Sequence, residues 1–225
     1  SHESTTFRAA ARSPVISSRG GAERLNRYLE ATYQRSYDLE GRSLPGTLLH
    51  DGGKTTVRIG VEPMVQVGRS EQTCWLRRRD VVTVCALEDR ALLRIHQAMH
   101  DAAILTPLLR PPYRLLGATL PSAQQPRHEI EFAIAASPWT LVVSLNEGGG
   151  HIERLSLRHN EGRLDAINAD LFQYKRFDTV AFPSERVLHF EELMVTGPHG
   201  RTEPAIERER IIDVQPGVDP RRLVR

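Results

Sequence analysis

Apolar residues recur along this chain with two different periods. Between His128 and Ala136 they alternate: Ile130, Phe132 and Ile134 fall on one side of an extended backbone, Glu129, Glu131 and Ala133 on the other. Trp139 to Leu145 repeats the pattern with Leu141, Val143 and Leu145 after a Ser137-Pro138 turn. Similar signals predict short strands at Gly46–His50, Lys54–Val61 (with Val57, Ile59 and Val61 on one side), Met64–Gly68, Gln72–Leu76, Val81–Leu87 and Tyr113–Leu120. The series continues at Ile152–Leu157, Leu164–Ile167, Phe172–Val180, Arg186–Val195 and Arg201–Val214. Glycine turns at Asp51-Gly52-Gly53 and Gly148-Gly149-Gly150 punctuate it.

Two segments switch to helical spacing. Ala22–Arg35 carries Leu25, Tyr28, Leu29, Thr32 and Tyr33 on one helical face. Glu88–Leu109 carries Leu92, Ile95, Met99, Ala102, Ala103 and Leu105, with Asp89 near its start and Pro107, Pro111 and Pro112 to end it. The predicted fold class is α+β: a strongly curved antiparallel sheet, an incomplete β-barrel, closed by a few helices. Residues 19–215 read as one domain between a flexible tail at 1–18 and a second tail at 216–225.

Composition narrows the function classes without choosing one. Of 225 residues, 40% are hydrophobic and 26% charged, which argues against global disorder. The net charge is +2, so no long-range field demands a nucleic acid. No apolar run reaches the ~20 residues that span a bilayer as a helix. The opening Ser1-His2-Glu3 reads as a processing or cloning scar, which allows a removed export signal.

The cysteines carry more information. Cys74 and Cys85 flank a strand–turn–strand segment. If Arg79-Asp80 forms its loop, Arg78 faces Val81 and Cys74 faces Cys85, within disulfide reach. That pairing favours an oxidising compartment; two buried free thiols are the alternative.

Motifs for catalysis are weak. Gly53-Lys54-Thr55 resembles the end of a phosphate-binding loop, but Leu48 stands where the earlier glycine belongs and a strand follows, so it reads as a hairpin turn. His96 and His100 are spaced to share a metal beside Asp101, yet Gln97 occupies the position of the metalloprotease glutamate. They read as partly exposed helix histidines, with no metal expected. There is no Gly-x-Ser-x-Gly elbow. Glu129, Glu131, Glu191 and Glu192 are candidate acids, and the Glu129/Glu131 face reads as solvated. Arg77-Arg78-Arg79 marks a hairpin tip able to touch phosphate or headgroups, or simply solvent.

The remaining signal is apolar. Ile130, Phe132, Ile134, Leu141 and Val143 are expected to face Leu92, Ile95 and Met99 across a hydrophobic cavity, with Trp75 near its rim. The same side chains also suit a filled core.

The order of elements, with Gly46-Thr47-Leu48-Leu49, Thr56-Val57-Arg58-Ile59 before Glu62-Pro63, Thr73-Cys74-Trp75-Leu76 and Asp178 to Val187, resembles the periplasmic lipoprotein carriers and receptors of the LolA/LolB type. It is also similar to the lipid-binding half of RseB/MucB-type regulators. The likeness spans roughly residues 20–195. No single residue is matched to the family's functional arginine. The resemblance implies an envelope protein, periplasmic or anchored to the outer membrane, that binds lipid or lipoprotein acyl chains without cofactor or reaction. Possible further contacts are an envelope protein partner and the membrane surface. A structural adaptor of an envelope complex, or a hydrolase with an unrecognised site, stays open beside it.

Overall fold

The computed structural model describes residues 21–39, 41–60, 64–69, 71–124, 127–146, 151–161, 165–196 and 202–218. The expectations for the tail at 1–18, for Val61, Glu62-Pro63, the 148–150 turn, Leu164, Arg201 and residues beyond 218 lie outside these.

Thirteen strands form one sheet. They are Ala31–Leu39 (β1), Arg42–Asp51 (β2), Lys54–Ile59 (β3), Met64–Gly68 (β4), Trp75–Arg78 (β5), Val81–Val84 (β6) and Tyr113–Thr119 (β7). His128–Ile134 (β8), Trp139–Leu145 (β9), Ile152–His159 (β10), Asp165–Phe177 (β11), Val180–Thr196 (β12) and Thr202–Pro216 (β13) complete it. The described helices are short Ala22–Asn26 (α1) and long Leu87–Ile104 (α2), with 3-10 turns at Glu71–Thr73 and Thr106–Leu109.

The spatial order is β6-β5-β4-β3-β2-β1-β13-β12-β11-β10-β9-β8-β7, antiparallel throughout. Two meanders therefore meet at the β1–β13 pair. Their outer strands, β6 and β7, are the two ends of the sheet, and α2 is the segment that joins them. That connection has to cross the whole sheet. α2 touches β3 and β4 on one side and β10, β11 and β12 on the other. Laid flat, β4 and β10 would be about 33 Å apart, far beyond the width of one helix. The sheet must therefore curve around α2. Among the described residues it does not close, and the expected closure by helices is partial, with α2 on the concave face.

Local chemistry sets the main boundaries. The Ala86 N–H donates to the Asp89 carboxylate at 3.1 Å, capping α2. Leu105, at φ 73, ends it, and Pro107 follows. Gly52 (φ 52) and Gly53 (φ 82) supply the left-handed pair of a two-residue hairpin turn between β2 and β3, so the Gly-Lys-Thr run is a turn into a strand.

Two predictions are corrected. The strands expected at 164–167 and 172–180 are a single strand, β11, which ends at Phe177 before a turn at Asp178 (φ 55). Helix does not run through Ala22–Arg35: it stops at Asn26, and β1 starts at Ala31. Tyr33, Arg35 and Tyr37 are buried at alternate positions, and β1 is hydrogen-bonded to β2 on one side and β13 on the other. Those two ladders outweigh the helical spacing of Leu25, Tyr28, Leu29 and Thr32.

Candidate functional site

The interior has two apolar clusters and a polar row. One cluster joins Tyr33, Leu48, Val57, Phe182 and Ile211 to Ala103 and Ile104 of α2. The other lies on the β7–β12 arm. Ile130, Phe132 and Ile134 of β8 and Leu141 and Val143 of β9 pack in one cluster with Leu92, Ile95 and Met99 of α2. All are 8% exposed or less. Leu155, Leu157, Ile167, Leu188 and Phe190 extend the cluster across β10 to β12. Strand alternation aims these side chains inward, and the α2 stripe is their cover. Eight of the nine expected lining residues are thus brought together. Trp75 is not among them: it stands on β5, 37% exposed, outside that cluster.

A polar region lies where β1, β12 and β13 pass under α2. Arg35 donates through Nη1 to Glu209 Oε1 at 2.6 Å, and both side chains are fully buried. Arg186 sits beside Glu209 in register. His96 Nε2 approaches Glu209 Oε1 at 3.4 Å. Gly46 faces Arg35 across the ladder, and its missing side chain leaves the space the guanidinium stem crosses: a Cβ there would lie 3.1 Å from Arg35 Nε. The Tyr33 hydroxyl meets His100 Nδ1 at 2.8 Å, while His100 Nε2 meets the Leu29 carbonyl at 3.0 Å. One assignment satisfies both: Nε2–H donates to the carbonyl and Nδ1 accepts from the hydroxyl. His50 stacks on His100, and its Nδ1 lies 3.1 Å from the Thr55 hydroxyl.

The expectation of partly exposed helix histidines is therefore corrected. His96 and His100 are buried at 1% and 4% exposure, because they lie on the side of α2 that meets this polar row. Burial pushes His96 down to about 3, against the pull of Glu209 and helped by Arg35 and Arg186. Burial likewise brings His100 to about 4 and His50 well below the ordinary range. Glu209 behaves differently. Burial alone would raise its carboxyl, but the Arg35 and Arg186 guanidiniums outweigh this and hold it low. At neutral pH the row thus contains two guanidinium ions, one firm carboxylate and three neutral imidazoles. Its His96–Glu209 contact is not an ion pair.

Several row atoms find no hydrogen-bond partner among the described residues: Nε and Nη2 of Arg35 and Arg186, Oε2 of Glu209 and both nitrogens of His96. Of these only the His96 nitrogens belong to α2; the other atoms lie on β1, β12 and β13. Among the described residues, no group of three or more His, Cys, Asp or Glu is placed to hold a metal.

Beside the end of α2 a cleft of about 400 Å³ is lined by His50, Lys54, Arg69, Gln97, Asp101, Arg110 and Tyr113, among others. Asp101 accepts from the Tyr113 hydroxyl at 2.6 Å, and burial raises its carboxyl to about 6 despite that bond.

The remaining candidates are dispersed. Glu131 pairs with Arg158 at 3.3 Å. Glu129 is half-buried, Glu191 accepts from Asn168 at 3.2 Å, and the Glu192 side chain lies outside the described residues. Cys74 and Cys85 are joined, Cα atoms 5.4 Å apart, with Arg78 opposite Val81 and Trp75 opposite Val84. The functional reading of the sequence missed Tyr33, Arg35, Arg186 and Glu209. Tyr33-x-Arg35-x-Tyr37 is the trace they leave, an alternation in which the middle inward residue is charged.

No family model matches the chain, and no curated protein matches it in sequence. Solved structures do. A LolA superfamily protein from Nitrosomonas europaea aligns over 94% of this chain and 97% of that one, at 8% identity and TM-score 0.53. An outer membrane lipoprotein-sorting protein domain from Vibrio parahaemolyticus aligns over 94% and 96%, at 10% identity and TM-score 0.50. MucB aligns over 91% of this chain and 62% of that one, at 12% identity and a TM-score of 0.25, too low to carry an argument. At such identities the likeness establishes architecture: the chain has a LolA-like fold.

Proposed function

We propose that this protein is a non-catalytic binding module of the cell envelope that takes lipid or lipoprotein acyl chains between α2 and the β7–β12 arm. The observation that carries the reading is the apolar cluster of that arm. Its wall is a hydrogen-bonded sheet, and its cover is one 18-residue helix. Displacing α2 uncovers an apolar trough, and an acyl chain reseals it. Each methylene buried contributes about 0.8 kcal/mol, so a fatty acyl chain offsets much of the lost helix packing. One structural neighbour is a lipoprotein-sorting domain, which supports the same assignment. The ionisable groups Arg35, Glu209 and His96 are buried beneath α2. Native mass spectrometry after incubation with fatty acids tests the proposal. Adducts that survive desalting are expected, and their absence contradicts it.

A second reading is an adaptor that holds an envelope protein partner. It is favoured by the near-complete burial of the interior cluster together with exposed apolar residues at the β5–β6 end of the sheet. The same mass spectra separate the two, because an adaptor acquires no lipid.

A further inference from the structure

The β5–β6 hairpin exposes apolar surface that neither the fold nor the acyl compartment accounts for. β6 ends the sheet, and its valines stand in solvent: Val81 is 64% exposed, Val82 61% and Val84 73%. Trp75, opposite Val84, and Leu87 at the start of α2 extend the patch. Edge strands usually protect themselves with charge, proline or a bulge. Here the charge is at the tip instead, in Arg77-Arg78-Arg79 followed by Asp80. The Cys74–Cys85 bond clamps the base.

Geometry and charge together select an occupant. Register places Val82 and Val84 on one face of the hairpin and Val81 on the other. Apolar exposure on both faces suits a tip immersed in a medium better than one face laid in a protein groove. Three arginines against one aspartate repel a second copy of the same hairpin. They also repel the chain's own residues 1–20, which carry Arg8, Arg12 and Arg19 against Glu3.

We infer that the β5–β6 hairpin docks the protein on an anionic lipid surface. The valines and Trp75 enter the headgroup region, and the arginines face lipid phosphates. Insertion stays shallow, because hydrocarbon cannot satisfy the backbone groups on the outer edge of β6. Each arginine near such a surface strengthens partition about fivefold. The inference stands apart from the acyl reading, since the hairpin lies outside the apolar cluster.

The test is co-sedimentation of the full chain with vesicles of phosphatidylcholine alone or mixed with phosphatidylglycerol. Binding is expected only to the mixed vesicles, with release by salt. Arg78→Glu should weaken it by about tenfold or more, and the Val82→Ser/Val84→Ser pair should also weaken it. These side chains are exposed, so the variants should fold, and thermal melting checks this; Arg78→Glu suffices if the valine pair fails. Prior loading with a soluble fatty acid should change nothing. The inference is overturned if wild type ignores the mixed vesicles, binds both kinds equally, or is matched by the folded hairpin variants. It is overturned equally if fatty acid abolishes binding, or if a dimer that Val84→Ser dissolves replaces vesicle binding.

Discussion

The imidazole rings of His50 and His100 stack face to face, 3.9 Å between centroids and 3° from parallel. They come from β2 and α2, so the stack joins the helix to the sheet, and only neutral rings tolerate it. Unfolded, each takes a proton near pH 6.5. Folded, His50, His96 and His100 resist it, because burial lowers all three.

The pH dependence follows from that sign. Depressed histidines make the unfolded chain bind more protons as pH falls below about 6.5, which destabilises the fold. Asp101 and Glu207 oppose this. Burial raises them to about 6 and about 7, so their contribution is greatest at low pH and is lost as pH rises through those values. Three histidines against two carboxylates leave roughly one net proton, or on the order of 1 kcal/mol lost per pH unit between about pH 6 and pH 5. Urea unfolding midpoints across that range measure it. A midpoint that is flat or rises on acidification contradicts the assignment of the buried histidines.

The Arg35–Glu209 pair predicts an asymmetry. Glu209→Gln leaves both Arg35 and Arg186 without their shared carboxylate and should cost about 3–5 kcal/mol. Arg35→Met leaves Glu209 beside Arg186 and should cost less. Urea unfolding of the two variants ranks them, and the reverse order would show that Arg186 does not share the charge.

How much of this was legible depends on where charge sits. The β8 inward set was readable because each apolar residue alternates with a polar or small one. β9 follows with Leu141 and Val143 on either side of an equally buried Val142, and both sets do meet Leu92, Ile95 and Met99. The hairpin register was readable because two cysteines and a short loop leave little freedom. β1 was not: its inward positions include Arg35, whose partner Glu209 lies 174 residues away, and an interior charge looks like a solvent-facing one. For the same reason His96 and His100 passed for surface residues.

Removing the Cys74–Cys85 bond should cost on the order of 3 kcal/mol, since it closes a short loop. For a domain of this size that lowers the melting temperature by roughly 6–12 °C. Melting with and without reductant, alongside intact mass after alkylation, checks both the bond and its effect. An unchanged melt of fully alkylated protein would mean that the hairpin holds without it.

Acyl binding under α2 is tested most directly by titrating a fluorescent fatty acid into wild type and into Phe132→Asp and Ile95→Asp variants whose folding is confirmed by circular dichroism. Phe132 and Ile95 meet in the apolar cluster from opposite sides, one from β8 and one from α2. Saturable micromolar uptake by wild type, lost in both variants, is the predicted result. No uptake by wild type would contradict the acyl-binding account, and equal uptake by the folded variants would place the ligand elsewhere.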